Sequence, residues 1–108
     1  MKEKKLKKSY CGVDYAFQRI GGKHKGRIMW YLKDGILRYG GLKKVIQGIT
    51  PKMLTQTLKE LEADGLILRK SYHEVPPRVE YSLSESGFEL IPFIEQMKNW
   101  ADKKMLSE

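Results

Sequence analysis

The 108-residue chain has the length of a single domain with one modest hydrophobic core. Its 21 basic and 13 acidic residues give a net charge of +8 at pH 7, which favours a polyanionic partner. No apolar run approaches the roughly 18 residues of a membrane span, and no apolar stretch follows the basic N-terminus as it would in a secretory signal. The single cysteine excludes an internal disulfide and a cysteine-rich zinc site. These features predict a cytoplasmic protein of bacterial type.

The first eight residues form a basic segment. Five of them are lysines and one is a glutamate, a density of like charge that does not pack into a core. We therefore expect residues 1–8 to be a disordered, solvated tail, with a DNA-contacting arm as the alternative. The folded domain is expected to span residues 9–108.

Three short helices are predicted before residue 50. Glycines mark the ends of the first two, at Gly21-Gly22 and at Gly35. The third is expected to run from Arg38 to Ile46, with Gly40-Gly41 weakening its first turn by about 1 kcal/mol per glycine relative to alanine. The first helix is predicted from the i, i+4, i+7 spacing of Val13, Phe17 and Ile20. The apolar side chains expected to face the core are Ile28, Tyr31 and Leu32 in the second helix, and Leu42, Val45 and Ile46 in the third.

The segment from Thr50 to Asp64 has the strongest helix pattern in the chain. The Thr50 hydroxyl can cap the helix, and Pro51 suits the first helical position, where a missing N–H costs nothing. Leucines at i, i+4 and i+7 bury one face, namely Leu54, Leu58 and Leu61. At about 100° per residue, the other side carries cationic, amide and hydroxyl groups, which can meet phosphates and base edges or can simply be solvated. These groups belong to Lys52, Thr55, Gln56 and Lys59.

A β-hairpin is predicted over residues 66–83. Leu66 and Leu68 alternate with their neighbours in the first strand, which indicates one face on the core. Val79, Tyr81 and Leu83 do the same in the second strand. Pro76-Pro77 cannot sit in paired strands and therefore mark the connecting loop.

Basic side chains on the hairpin are candidates for contact with DNA. Arg69, Lys70 and Arg78 can bind the backbone or a minor groove, or they can be solvated charges that protect an edge strand from aggregation. Glu74 could pair with Arg78 and draw it away from DNA. Arg38, at the head of the third helix, is either a further phosphate contact or simply exposed.

The last helix is predicted to start near Ser84, whose side chain can cap it. Pro92 must either kink this helix or divide it. Its apolar band is too wide for one buried stripe in so small a domain, so part of it should face a second molecule. The band comprises Phe88, Leu90, Ile91, Phe93, Ile94, Met97, Trp100 and Ala101.

Together the elements predict a mainly α fold with a small β-hairpin (α+β). The arrangement is a winged helix-turn-helix domain with additional N- and C-terminal helices. In that fold the fourth helix would enter a major groove of double-stranded DNA and the hairpin would lie on the flanking backbone. The alternative is a winged helix that docks an acidic protein through its basic face, without specific DNA binding.

Three segments in combination resemble one known family. They are IGGKHKGRIMWYL, GITPKMLTQTLKELEADGLI and VPPRVEYSLSESG, with Cys11 ahead of the first helix and Trp100 near the end. They are similar to the HxlR-type bacterial transcriptional regulators, and the resemblance covers roughly residues 10–101. Two positions depart from the family pattern: His24 stands where tryptophan is common, and Gly40-Gly41 replaces the phenylalanine and acidic residue usual there.

The resemblance implies a homodimeric regulator that binds inverted-repeat operators as a repressor or an activator; we expect a repressor. It also implies dimerisation through the first and last helices. Several members of the family respond to a small electrophile or oxidant through the cysteine placed as Cys11 is. The residues expected at the dimer interface are Val13, Phe17, Leu90, Phe93, Ile94, Met97 and Trp100.

Cys11 itself has two interpretations. A lone cysteine is more often an inert small hydrophobe than a sensor, whereas a position before a helix and after lysines favours the reactive thiolate. Any disulfide would have to join two subunits or use a small thiol. His24 and His73 lack a nearby carboxylate cluster, so no metal site is predicted. A Cys11–His24 pair lacks an orienting acid, so we expect neither enzyme activity nor a cofactor.

Overall fold

Five helices and a small sheet make up residues 11–107, the part of the chain that the computed structural model describes. The predicted mainly helical, winged helix-turn-helix architecture is confirmed, while the expected tail at residues 1–8 lies outside the described residues. In chain order the elements are α1 (Gly12–Ile20), α2 (Lys25–Leu32), β1 (Leu37–Arg38), α3 (Tyr39–Val45), α4 (Pro51–Ala63), β2 (Ile67–Tyr72), β3 (Arg78–Leu83) and α5 (Glu85–Ser107).

The sheet is antiparallel, with strand order β1-β3-β2. β2 and β3 form the predicted hairpin, in which Ile67 pairs with Leu83, and residues 73–77 connect them. β1 is two residues long and pairs with β3, placing Leu37 opposite Tyr81. The sequence pattern does not predict this third strand. It contains Arg38, which is also the N-cap of α3.

One hydrophobic core lies between α2, α3, α4, α5 and the sheet. Two sequence expectations for it are wrong. Met29 rather than Tyr31 is buried, because α2 contacts α3, α4, α5 and β3 and is therefore covered on more than one side. Val45 is exposed, whereas Leu42 of α3 and Ile46, the residue after its end, are buried. The buried apolar residues are Ile28, Met29, Leu32, Leu42, Ile46, Ile49, Leu54, Leu58, Leu61, Leu66, Ile67, Tyr81, Leu83 and Ile94.

The connection from α4 to β2 corrects the predicted inward face of the first strand. The N–H of Gly65, whose φ is 74°, donates to Glu62, and the N–H of Leu66 donates to Leu61, which together close the helix in a Schellman motif. Leu66 is buried as part of this helix end, outside the strand. The strand begins one residue later, with Ile67 buried and Leu68 exposed.

Helix α5 is joined firmly to the end of α4. The Ser84 hydroxyl donates to the carbonyl of Gly65 at 2.6 Å and accepts from the N–H of Gly87 at 3.0 Å, so it caps α5 as predicted. The N–H of Ser84 donates to the carbonyl of Leu66 at 3.1 Å. Pro92 does not divide the helix, which is continuous from Glu85 to Ser107.

Candidate nucleic-acid interface

Helix α4 has the construction that the sequence predicts. The Thr50 hydroxyl accepts a hydrogen bond from the N–H of Met53 at 3.1 Å, and Pro51 is the first helical residue. Burial of the three leucines leaves the other side of the helix open to solvent. The predicted DNA-contacting side chains on this side are all exposed: Lys52, Thr55, Gln56 and Lys59. Their exposure is confirmed, and their contact with DNA stays a prediction.

Hydrogen bonds from neighbouring helices fix the start of α4. The Tyr39 hydroxyl, at the first residue of α3, donates to the carbonyl of Pro51 at 3.2 Å. The Arg27 guanidinium, on α2, donates to the carbonyl of Gln47 at 2.8 Å in the turn between α3 and α4. The exposed face of α4 is therefore held in a fixed direction relative to α2 and α3.

An ionic network joins the polar face of α4 to the preceding helices. Gln56 donates through Nε2 to Oε2 of Glu60 at 2.9 Å. The Lys25 ammonium lies 3.3 Å from Oε1 of Glu60 and donates to the carbonyl of Gln18 at 3.3 Å. Hydrogen bonds from Gln56, the larger effect, and from Lys25 hold the pKa of Glu60 below its usual value. Sequence reasoning missed both partners of Glu60; the i, i+4 spacing could have revealed Gln56, but nothing local indicates Lys25.

A cleft of about 340 Å³ separates α4 from the hairpin. Thr55 and Lys59 line it from α4, and Arg69 lines it from β2. Lys59 and Arg69, two of the predicted cationic contacts, thus lie on opposite sides of the cleft. Lys70 is exposed on the same strand, with its ammonium 5.0 Å from the centre of the Tyr72 ring.

Arg78 is engaged by its own hairpin. Its guanidinium lies 3.1 Å from a Glu74 carboxylate oxygen, 3.7 Å from one of Glu80, and 3.9 Å from the centre of the Tyr72 ring. The alternative pairing with Glu74 is therefore present. A phosphate contact by Arg78 would require these ion pairs to open, so the cationic surface of the hairpin consists chiefly of Arg69 and Lys70.

Arg38 lies at the junction of β1 and α3. It is exposed, and its backbone pairs with Glu80 of β3. Its position as the N-cap of α3 agrees with the predicted place at the head of the third helix. Its phosphate contact remains a prediction.

Helix α1 runs from Cys11 to the end of α4. Cys11 is exposed and is the N-cap residue of α1. Near the other end, Nε of Arg19 lies 3.8 Å from a carboxylate oxygen of Asp64, the C-cap of α4. Cys11 therefore begins a helix that contacts the end of the candidate DNA-reading element.

Exposed apolar side chains on α1 and α5 form a shared surface with a groove of about 520 Å³ between the helices. Phe93 is 60% exposed and Trp100 is 65% exposed. Val13 and Phe17 are exposed on α1, which buries no residue. Leu90 is half-buried. Ile94 is a correction to the expected interface, because it is 8% exposed and packs into the core of its own protomer, where α5 crosses α2.

His24 is 7% exposed and lies at the N-cap of α2. Burial, followed by the nearby charges of Arg27 and Lys23, lowers its pKa from the ordinary value of 6.5. Its Nδ1 lies 3.2 Å from a guanidinium nitrogen of Arg27. Within residues 11–107, no group of three or more His, Cys, Asp or Glu side chains is placed to hold a metal ion. Over the same residues, no helix is both long and apolar enough to cross a membrane.

Comparison with known proteins identifies close relatives of the whole domain. The HTH-type transcriptional regulator YkvN of Bacillus subtilis is 47% identical over 95 residues, which are 88% of this chain and 80% of that protein. The solved structure of the redox regulator HypR in its oxidised form matches with a TM-score of 0.82 at 45% identity, covering 86% of this chain and 96% of that chain. The reduced form of HypR matches with a TM-score of 0.84 at 43% identity, covering 88% and 94%.

A family model agrees with these relatives and with the geometry of α3, the turn and α4. The model described as HxlR-like helix-turn-helix matches residues 19–108. That match begins within α1 and includes α4, the hairpin and α5. The chain belongs to the HxlR-like helix-turn-helix family.

Proposed function

We propose that this chain is a sequence-specific DNA-binding transcriptional regulator, acting in the cytoplasm as a homodimeric repressor on an inverted-repeat operator. The observation that carries the proposal is the two-sidedness of α4. Three buried leucines fix one side of the helix, and the opposite side presents exposed cationic, amide and hydroxyl groups. A helix with this polar face fits a major groove, where base edges offer hydrogen-bond donors and acceptors.

The exposed side chains divide into two roles. Gln56 is suited to a bidentate pair with adenine, which discriminates against a wrong base by about 1–3 kcal/mol. Lys52 and Lys59 are suited to phosphates, which fix the register without choosing the sequence. Lys59 and Arg69 flank the cleft between α4 and β2, so one strand of DNA backbone can be held from both sides.

The apolar surface on α1 and α5 supports the homodimer. A soluble monomer seldom exposes several neighbouring aromatic side chains, and a two-fold pairing would cover each surface with its own copy. Paired reading helices then fit half-sites about 34–36 Å apart, or a multiple of that distance. The members proposed for this interface are Val13, Phe17, Leu90, Phe93, Met97 and Trp100.

A small electrophile or oxidant is the proposed effector, with Cys11 as the sensor. Cys11 is exposed at the start of α1, and α1 reaches the end of α4 through the Arg19–Asp64 pair. A group added to Cys11 would therefore change the angle between the two reading helices. Cys11→Ser is expected to keep operator binding and to lose its response to a quinone or an oxidant; an unchanged response would contradict the sensor role.

The test of the function is selection from a library of randomised DNA duplexes, followed by salt titration of the selected duplex and a scrambled one. A regulator should bind the selected duplex about 10³-fold or more tightly, with an affinity that falls steeply as salt increases. Equal binding to both duplexes would favour a protein-binding winged helix. The symmetry of the selected duplex tests the inverted repeat.

Two variants on the same face of α4 separate base reading from phosphate binding. Gln56→Ala should reduce the preference among related duplexes by about tenfold at one base pair. Lys59→Ala should weaken all duplexes alike and reduce the salt slope by about 1. The reverse pattern would refute the two roles.

A further inference from the structure

The carboxylate of Glu60 joins the predicted base reader to the body of the protein. One of its oxygens accepts from Nε2 of Gln56 at 2.9 Å, and the other lies 3.3 Å from the Lys25 ammonium. Both oxygens thus have a partner. Gln56 and Glu60 are themselves exposed on α4, although both line a cleft that residues 21–25 also line.

This hydrogen bond decides which end of the Gln56 amide points outward. An ionised carboxylate only accepts hydrogen bonds, so it attracts the NH₂ group of the amide and repels the carbonyl oxygen. One N–H of Gln56 is used by Glu60, which leaves the second N–H and Oε1 to the exterior. That donor–acceptor pair is complementary to N7 and the N6 amino group of adenine.

Lys25 makes a carboxylate tolerable at this place. A bare negative charge on a DNA-facing helix would repel phosphates, but the Lys25 ammonium lies against Glu60 from the protein side. Lys25 is itself fixed, because its side chain is only 15% exposed and it donates to the carbonyl of Gln18 in α1. The lowered pKa of Glu60 agrees with a carboxylate that stays ionised between these two partners.

We propose that Glu60 is a specificity-determining positioning residue, which holds the Gln56 amide in the orientation that reads adenine, while Lys25 neutralises its charge. This inference rests on the proposed function, and it adds a role for two residues that need not touch a base. Without Glu60, the amide can rotate by half a turn and present its donor and acceptor in exchanged positions, which removes the preference for adenine.

The first experiment measures base preference in the purified full chain. Duplexes selected from a randomised library are varied one base pair at a time, and the position read by Gln56 is the one whose preference is lost in Gln56→Ala. At that position, Glu60→Gln should lower the preference from about tenfold to less than about threefold, because an amide can both donate and accept. Lys25→Met should show the same loss in part, together with weaker binding of every duplex.

Glu62→Gln is the matched control. It removes the same charge from an exposed residue of α4 that lies beside Lys59 rather than Gln56. Both glutamate variants should bind all duplexes somewhat more tightly, and only Glu60→Gln should change the ratio between bases. In the Gln56→Ala background, Glu60→Gln should have no further effect at the same position. An unchanged base ratio in Glu60→Gln, with the ratio lost in Gln56→Ala, would overturn the inference and leave the proposed function standing.

The second experiment needs no DNA. The side-chain NH₂ signals of Gln56 in the free protein, followed by NMR relaxation, should show restricted motion in the wild type and in Glu62→Gln, and fast motion in Glu60→Gln. A mobile Gln56 amide in the wild type would overturn the inference by itself. A restricted amide in a protein that binds every duplex equally would instead place the failure in the proposed function.

Discussion

Helices α4 and α5 differ in how much of their apolar surface is buried against their own chain. α4 is 13 residues long and buries a full stripe against its own chain, leaving polar groups on the other side. α5 is 23 residues long, yet only Gly87 and Ile94 are buried, and its exposed side includes Phe93 and Trp100. The leucines of α4 are covered within one chain, whereas Phe93 and Trp100 of α5 are left uncovered by the described residues.

Because α4 exposes polar groups and α5 exposes apolar groups, the two helices are suited to different kinds of binding. Exposed polar groups on a helix are well solvated, so α4 needs no second copy to be stable. Covering the apolar groups of α5 gains about 25 cal/mol per Å² of apolar surface removed from water. We therefore expect changes on the buried side of α4 to act on folding and changes on the exposed side of α5 to act on association.

The largest expected effect is on the inward side of α4. Leu54 is fully buried, and Leu54→Ala should lower the free energy of unfolding by about 2–5 kcal/mol through lost contacts and the cavity left behind. Urea unfolding at a fixed protein concentration measures the change. Met53→Ala, at the neighbouring exposed position, is the control and should cost less than about 1 kcal/mol. Equal losses in both variants would mean that this stripe does not anchor the helix.

The next effect is on association through α5. Phe93→Glu would place a carboxylate in the proposed interface, and should weaken the proposed dimer by about 2–4 kcal/mol while leaving the helical signal of each chain intact. Sedimentation over a range of concentrations gives the dissociation constant. Glu95→Gln, about 200° around the helix, should have no effect. Dimers of unchanged affinity in Phe93→Glu would remove α5 from the proposed interface.

A smaller effect tests the first turn of α4. Thr50→Ala removes the acceptor for the N–H of Met53 and should cost about 0.5–2 kcal/mol of unfolding free energy. Thr50→Asn keeps a capping oxygen and should recover most of the loss, as seen in thermal unfolding. Equal destabilisation by asparagine and alanine would mean that the capping hydrogen bond of Thr50 does not stabilise the helix.

The smallest effect is the pH dependence of stability. The folded state lowers the pKa of His24 below 6.5, so the unfolded state binds more protons as pH falls. The contribution of His24 to stability is therefore fully present above about pH 6.5 and is lost progressively as the pH falls below it. His24→Gln should flatten this slope between pH 7 and 5 in urea titrations, whereas His73→Gln, in the exposed hairpin loop, should keep it. A wild-type slope in His24→Gln would contradict this assignment.

Local signals predict the parts of the fold that local interactions build. The Thr50 cap, the leucine spacing of α4 and the Pro76-Pro77 loop each depend on residues close in sequence, and all three are confirmed. Strand β1 escapes such signals because two residues have no periodicity and are ordered by pairing with β3. The inward face of β2 was misjudged because Leu66 belongs to the closing turn of α4.

The candidate site likewise has features that local sequence signals predict and features that they do not. Exposure of Lys52, Gln56 and Lys59 follows from helix geometry and could be predicted. The pairing of Arg78 with Glu74, four residues away, was one of two alternatives that the sequence left open, and its second contact, with Glu80 of the same strand, was not anticipated. The bond from Lys25 to Glu60 spans two helices and appears only when α2 and α4 are packed together.

The junction between the closing turn of α4 and the first turn of α5 has a consequence for the spacing of the operator half-sites. Ser84 is bonded to both Gly65 and Gly87, and a Cβ at Gly87 would collide with the carbonyl oxygen of Leu66. In the proposed dimer, paired through α5, this hydrogen-bonded junction would set the separation and rotation of the two reading helices while no effector is bound. An extra base pair between the half-sites would turn one of them by about 34–36° around the duplex axis, so we expect such an operator to be bound more weakly.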